Sequence, residues 1–292
     1  MKNNEKEKRK PLTELTLLDR FLFDTAMNDP EFCHNVLSII FDDDDLPPVH
    51  IGMTERKIEP YYDSRAVRLD LLAFDENNVV YDAESQQKNE GNEHLRRRSR
   101  LYQSYIDVNL LEPGERDFRK LNDVYVIFIA PFDLFGQEKY MYTFRMTCDE
   151  VPGLELKDGG VRIFLNTHGK NDDEVSSELS EFLYFVEHPS KDNGNFQNPR
   201  VQKLADQIEN IKSNQEVGVK YMRLWEELDD AKKEGLAEGE IIGRTIGREE
   251  SQIDDIRNLM DSLSLSMEQA MDALKIPEDK REEYKKQLEM NA

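Results

Sequence analysis

The sequence predicts a mixed α/β fold, with a central mixed sheet flanked by helices and a helical extension at the C-terminal end. Three observations predict it. Apolar residues recur at helical spacing between Leu15 and Phe41, β-prone segments alternate with a helical one from Val67 to Leu165, and residues 200–292 are charged and helical in pattern throughout.

Leu18, Phe21 and Leu22, then Phe32, Val36, Leu37 and Ile40, carry the helical period, and Asn28-Asp29-Pro30 interrupts it. Asp29 suits an N-cap and Pro30 the first helical position, so two helices are expected. The acidic run Asp42–Asp45 ends the second in a polar loop, although acids at a helix C-terminus oppose the helix dipole. Val67–Phe74 and Val79–Gln87 read as the strands of a hairpin joined by Glu76-Asn77-Asn78. Residues 93–107 have the composition of a helix. Val124–Ala130 is a continuous apolar run suited to a strand buried on both faces, 140–147 and 161–165 are further strands, and 173–187 is a helix.

Four segments are expected: a flexible tail over 1–14, a main domain over 15–188, a turn-rich linker over 189–199, and a helical region over 200–292. Gly235, Gly239, Gly243 and Gly247 fall at every fourth position of the last. They would share a helix face. A weakly helical connector is favoured over a close helix contact, because each glycine costs about 0.5–1 kcal/mol relative to alanine.

The 292 residues hold 39 Lys and Arg against 61 Asp and Glu, a net charge of −22. Such a balance repels polyanions, so a nucleic-acid partner requires basic residues concentrated at one place. Arg96, Arg97, Arg98 and Arg100 are that concentration. Cys33 and Cys148 give neither a disulfide framework nor a zinc spacing, and no run approaches the ~18 apolar residues of a membrane span. A cytoplasmic protein without membrane contact is expected.

A three-residue hairpin loop sets Asp75 opposite Val79, and the same register sets Asp70 opposite Glu84. Opposed residues have Cβ atoms about 4.5–5.5 Å apart, and two carboxylates that close repel unless a cation lies between them. Mg²⁺ takes hard oxygen ligands, typically one or two carboxylates with water and phosphate. Period two places Asp82, Glu84 and Gln86 on one strand face, with the small Ala83 and Ser85 on the other.

Asp followed by Glu-x-Gln on the next strand resembles the PD-(D/E)xK nuclease superfamily, in particular its transposase-like, recombination-promoting nuclease branch. Arg98-Ser99-Arg100-Leu101-Tyr102-Gln103-Ser104 is similar to the Arg-x-Arg-Tyr-Tyr-Gln-Ser stretch of that branch, with Leu101 in place of the first Tyr. Leu17 to Phe23 is similar to its opening helix. The resemblance implies a restriction-endonuclease-like sheet and Mg²⁺-dependent (Mn²⁺ is the alternative ion) hydrolysis of DNA. Asp70 and Glu84 would hold the metal, and Gln86 would orient the water. Gln cannot carry the charge of the usual Lys, so Lys88, two residues on, or Arg98 or Arg100 would supply it. The arginine helix, with Arg96, Arg97, Arg98, Arg100 and Tyr102, would bind the DNA backbone. A homodimer through the C-terminal helices is a further expected partner.

Two other readings stay open at this point: a non-catalytic protein of the same fold acting through its acidic surface, and an RNA-directed nuclease.

Overall fold

The computed structural model describes residues 9–52, 57–58, 67–190 and 196–290. It consists of two compact units, Met1–Tyr221 and Met222–Ala292. The first is a mixed α/β fold with the central mixed sheet and flanking helices that the sequence predicts, and a helical extension follows.

Helices α1 (Arg20–Met27) and α2 (Pro30–Phe41) are separated at Asp29, whose carboxylate accepts from the N–H groups of Glu31 and Phe32 while Pro30 opens α2. The acidic run has a local explanation. Asp42 takes the left-handed conformation that ends α2, and Asp44 accepts from Arg200 at 2.6 Å, an arginine that also reaches Glu178. Of the expected tail, residues 1–8 lie outside the described residues. Leu12–Glu14 form a 3₁₀ turn, where Lys212 donates to the carbonyl of Thr13.

Strand β1 (Val49–Ile51) lies at one edge of the six-stranded sheet, followed by β4 (Leu71–Asp75), β5 (Val80–Ser85), β6 (Val124–Ala130), β8 (Gly160–Asn166) and β7 (Met141–Phe144). The short strands β2 (Lys57–Ile58) and β3 (Val67–Arg68) pair separately. The single strand predicted from Val67 to Phe74 is therefore broken at Leu69-Asp70. The pairs β1–β4, β4–β5 and β7–β8 are antiparallel, and β5, β6 and β8 run parallel. The hairpin turn is as expected. Asn78 adopts φ 60°, and the Asp75 carboxylate accepts from the N–H groups of Asn77 and Val79.

The sheet is buried on both faces. Residues Leu71, Ala73, Tyr81, Ala83, Ile127, Ile163 and Leu165 face α1, α2, α4 (Ser177–Glu187) and α5 (Pro199–Ser213). Helix α5 belongs to this core, where Val201, Leu204, Ala205 and Ile208 are buried, and Phe196 anchors the chain just before it. Residues 191–195 of the expected linker lie outside the described residues. The opposite face is covered by α3 (Asn92–Leu110), which buries Leu95, Ser99, Tyr102 and Ile106 at helical spacing against Leu72, Val80, Val126, Phe128 and Phe164.

In the second unit, the end of α6 (Gln215–Leu263) packs with α7 (Met267–Ala273) and α8 (Glu278–Met290) around Ile256, Met271 and Tyr284. A methyl group built on any of the four periodic glycines would touch nothing within 4 Å, so they make no close helix contact among the described residues. No helix among the described residues is long and apolar enough to cross a membrane.

Candidate active site

The site forms at the carboxyl ends of the parallel strands, where ligands bind in open α/β sheets. Leu71 pairs with Ala83, one position short of Asp70 and Glu84. Continuing that register, the N–H of Asp70 donates to Glu84 Oε1 at 2.7 Å, so the two acidic residues meet at the end of the hairpin. Asp82, Glu84 and Gln86 share the face that lies under α3.

That face is roofed rather than solvated. Glu84 and Asp82 are 0% exposed. A buried ionised carboxylate costs several kcal/mol unless it is paired. Glu84 has such a partner. Arg98 donates from Nη2 to Glu84 Oε2 at 2.6 Å, from Nη1 to Gln86 Oε1 at 2.7 Å, and from Nε to the hydroxyl of Tyr102 at 2.7 Å. Its guanidinium lies over the rings of Tyr102 and Phe128 at 5.0 and 5.3 Å. Only Arg has the planar fork that bridges three such acceptors. Gln86 is fixed from its other end by donating to the carbonyl of Lys88 at 2.6 Å.

Asp70 is held differently. Arg20, at the start of α1, reaches Asp70 Oδ1 at 2.7 Å. Helix α1 is itself tied to the end of β5, because Gln87 donates to Asp19 at 3.2 Å, while the other oxygen of Asp19 accepts from the backbone N–H of Thr16 at 2.7 Å.

Several sequence expectations are relocated. Lys88 lies beyond the end of β5 and is exposed, so strand alternation no longer carries it to the site face, and its carbonyl rather than its ammonium meets Gln86. Tyr102, expected at the DNA, is 8% exposed and sits in the core under α3. Arg98 is turned inward with it. Arg96 lies over Phe135 at 4.6 Å and donates to the carbonyl of Leu134, Arg97 pairs with Glu93 on the exposed helix face, and Arg100 is exposed. Sequence reasoning missed Arg20, which no spacing rule links to Asp70. It also left Asp82 unassigned, although an acid between Tyr81 and Ala83 in an apolar strand marks a buried polar group.

The electrostatics follow from burial. The Glu84 carboxyl is pushed up to about 8, first by desolvation and then by the charge of Asp70, while Arg98 and the Asp70 N–H pull it down. Asp82 lies well above the ordinary range because it is buried beside Glu84 and Asp70, and neither of its oxygens has a hydrogen-bond partner among the described residues. A carboxyl raised on folding binds its proton more tightly in the native state. The native protein therefore holds more protons between about 4.5 and about 8, and stability falls as pH rises through that window. We expect the unfolding free energy from urea titrations to drop across this window by an amount on the order of a few kcal/mol, lowering the midpoint with it, and Glu84→Gln to flatten the dependence. A wild-type midpoint that climbs with pH there would contradict this assignment.

The donor set can be tested against a divalent ion. Among the described residues no three His, Cys, Asp or Glu side chains are grouped to hold a metal. Mg²⁺ does not need three, since one or two carboxylates with water and phosphate suffice. Asp70 and Glu84, joined at the hairpin end beside Asp82, whose two oxygens have no hydrogen-bond partner among the described residues, fit that requirement by the chemistry of their oxygens.

No curated protein and no solved structure matches the chain. The family described as PD-(D/E)XK nuclease family transposase matches residues 20–235, a stretch that holds Asp70, the Glu84-x-Gln86 pair and all of α3. With the match spanning most of its length and the mixed sheet in place, the chain belongs to the PD-(D/E)XK nuclease superfamily, in its transposase-like branch.

Proposed function

We propose that the protein is a metal-dependent DNA endonuclease linked to recombination or mobile elements. The observation that carries this reading is the junction of Asp70 and Glu84 at the hairpin end, with Arg98 gripping both Glu84 and Gln86. Asp70 and Glu84 would hold Mg²⁺ or Mn²⁺. When bound, the ion polarises the scissile phosphate and lowers the pKa of a bound water.

The remaining work falls to the chain. Gln86, with its amide fixed at both ends, presents a set orientation toward the attacking water. Arg98 places a permanent cation at Gln86, the position at which E-x-K members carry lysine, and so supplies the charge that glutamine lacks. The outward arginines Arg96, Arg97 and Arg100 grip the DNA backbone. Replacing these three by serine should lower duplex affinity and reduce the steepness of its salt dependence by up to about 0.9 log units for each phosphate no longer neutralised. Unchanged affinity and slope would make them a solvated helix face.

One observation favours a second reading, a non-catalytic interaction protein. Each acid of the pair already has an arginine partner, Arg20 for Asp70 and Arg98 for Glu84, and ion pairing is how a scaffold would neutralise buried acids. Cleavage of plasmid DNA by purified protein with Mg²⁺, with Mn²⁺ and with EDTA decides between the two. Metal-dependent nicking that EDTA stops supports the enzyme, and its absence with both ions supports the scaffold.

A further inference from the structure

We propose that Arg20 is a substrate-phosphate ligand of this site, contributed by α1 and held at the mouth of the site by Asp70 until DNA arrives. The inference rests on the nuclease reading and assigns it a residue outside the arginine helix.

The two arginines at the acidic pair differ in what they have left to offer. All three nitrogens of Arg98 are engaged, by Tyr102, Gln86 and Glu84, and its side chain is only 22% exposed. It cannot take a phosphate without releasing a buried carboxylate. The side chain of Arg20 is 45% exposed. One of its nitrogens meets Asp70 at 2.7 Å, and its Nε makes a looser ion pair with Asp24 at 3.5 Å. Among the described residues its remaining N–H groups have no other partner, so they can meet an incoming oxyanion beside Asp70, and the guanidinium fork matches a phosphate's paired oxygens. The platform is fixed as well. Asp19, adjacent in sequence, is pinned by Thr16 and tied to Gln87 at the end of β5, so α1 presents Arg20 at a set place relative to the pair. Arg98 thus positions, and Arg20 binds.

The test is binding of a fluorescein-labelled duplex by anisotropy in Ca²⁺, an ion that commonly supports nuclease binding without turnover, with Mg²⁺ cleavage measured in parallel. Arg20→Met should weaken binding about tenfold, the cost of one charge-assisted hydrogen bond, and lower the salt slope by about one unit. Arg20→Lys should recover part of the affinity, because it keeps the charge but not the fork. Measured in EDTA, where no ion bridges Asp70 to the phosphate, Asp70→Asn should tighten binding by freeing Arg20 and removing a charge near the phosphate. That gain should shrink in Arg20→Met/Asp70→Asn, a coupling that a merely structural Arg20 would not produce. Unchanged affinity and slope in Arg20→Met, or strictly additive effects in the double variant, would overturn the proposal. Wild-type protein that never cleaves would remove the nuclease reading while leaving these binding results to judge Arg20 by themselves.

Discussion

Glu84→Gln is expected to reduce metal-dependent DNA cleavage by about a thousandfold or more while the protein stays folded. The magnitude corresponds to the several kcal/mol of transition-state stabilisation that a bound ion supplies. The substitution keeps the shape of the side chain, and its amide oxygen can still accept from Arg98 or from the N–H of Asp70. It removes a carboxyl whose charged form desolvation and Asp70 disfavour, so stability at neutral pH should hold or rise. Asp70→Asn should match it in activity. Plasmid nicking, with Mn²⁺ binding by calorimetry alongside, reads both effects. Equal cleavage by wild type and both variants would remove Asp70 and Glu84 from the chemistry.

Arg98→Met should be the most damaging single change for the fold. It strands a fully buried Glu84, frees Gln86 and the Tyr102 hydroxyl, and removes the guanidinium that lies over both rings. Breaking a buried pair by deleting one partner costs about 3–5 kcal/mol. For a domain of this size that lowers the melting temperature on the order of 10 °C. Activity should fall a further 10- to 100-fold beyond any loss of folded protein, roughly the effect of losing the group that orients a ligand. A double-variant cycle separates the causes. At alkaline pH, where Glu84 would otherwise have to ionise without a partner, Glu84→Gln added to Arg98→Met should restore much of the stability, because no unpaired charge remains. If instead the two changes simply add, the pair is not the reason Arg98 is buried.

The same arginine shows why the site was only partly legible from the chain. Asp70 and Glu84 could be matched because a hairpin is local: a three-residue loop fixes the register, and the register fixes which side chains oppose. The helix boundary at Asp29-Pro30 was readable for a similar reason, since N-capping involves neighbours two and three residues apart. Arg98 and Arg100 looked equivalent in the sequence, and both suited DNA. The structure separates them by helical phase. Arg98 precedes Tyr102 by one turn on the buried side of α3, whereas Arg100 points to solvent.

What the sequence determined by itself is therefore the set of local devices: the mixed order of helices and strands, the hairpin and its acidic pair, the α2 cap, and the charged helical extension. Only the tertiary structure decided that α3 roofs the acidic face, that Lys88 falls past the end of β5 and is exposed, that Asp82 is buried without a hydrogen-bond partner among the described residues, and that Arg20 comes to Asp70 from fifty positions away. These are contacts between elements remote in the chain. Periodicity says which face of a helix is apolar, but not which strand that face will cover, and burial then sets the charge state and role of every polar group beneath it.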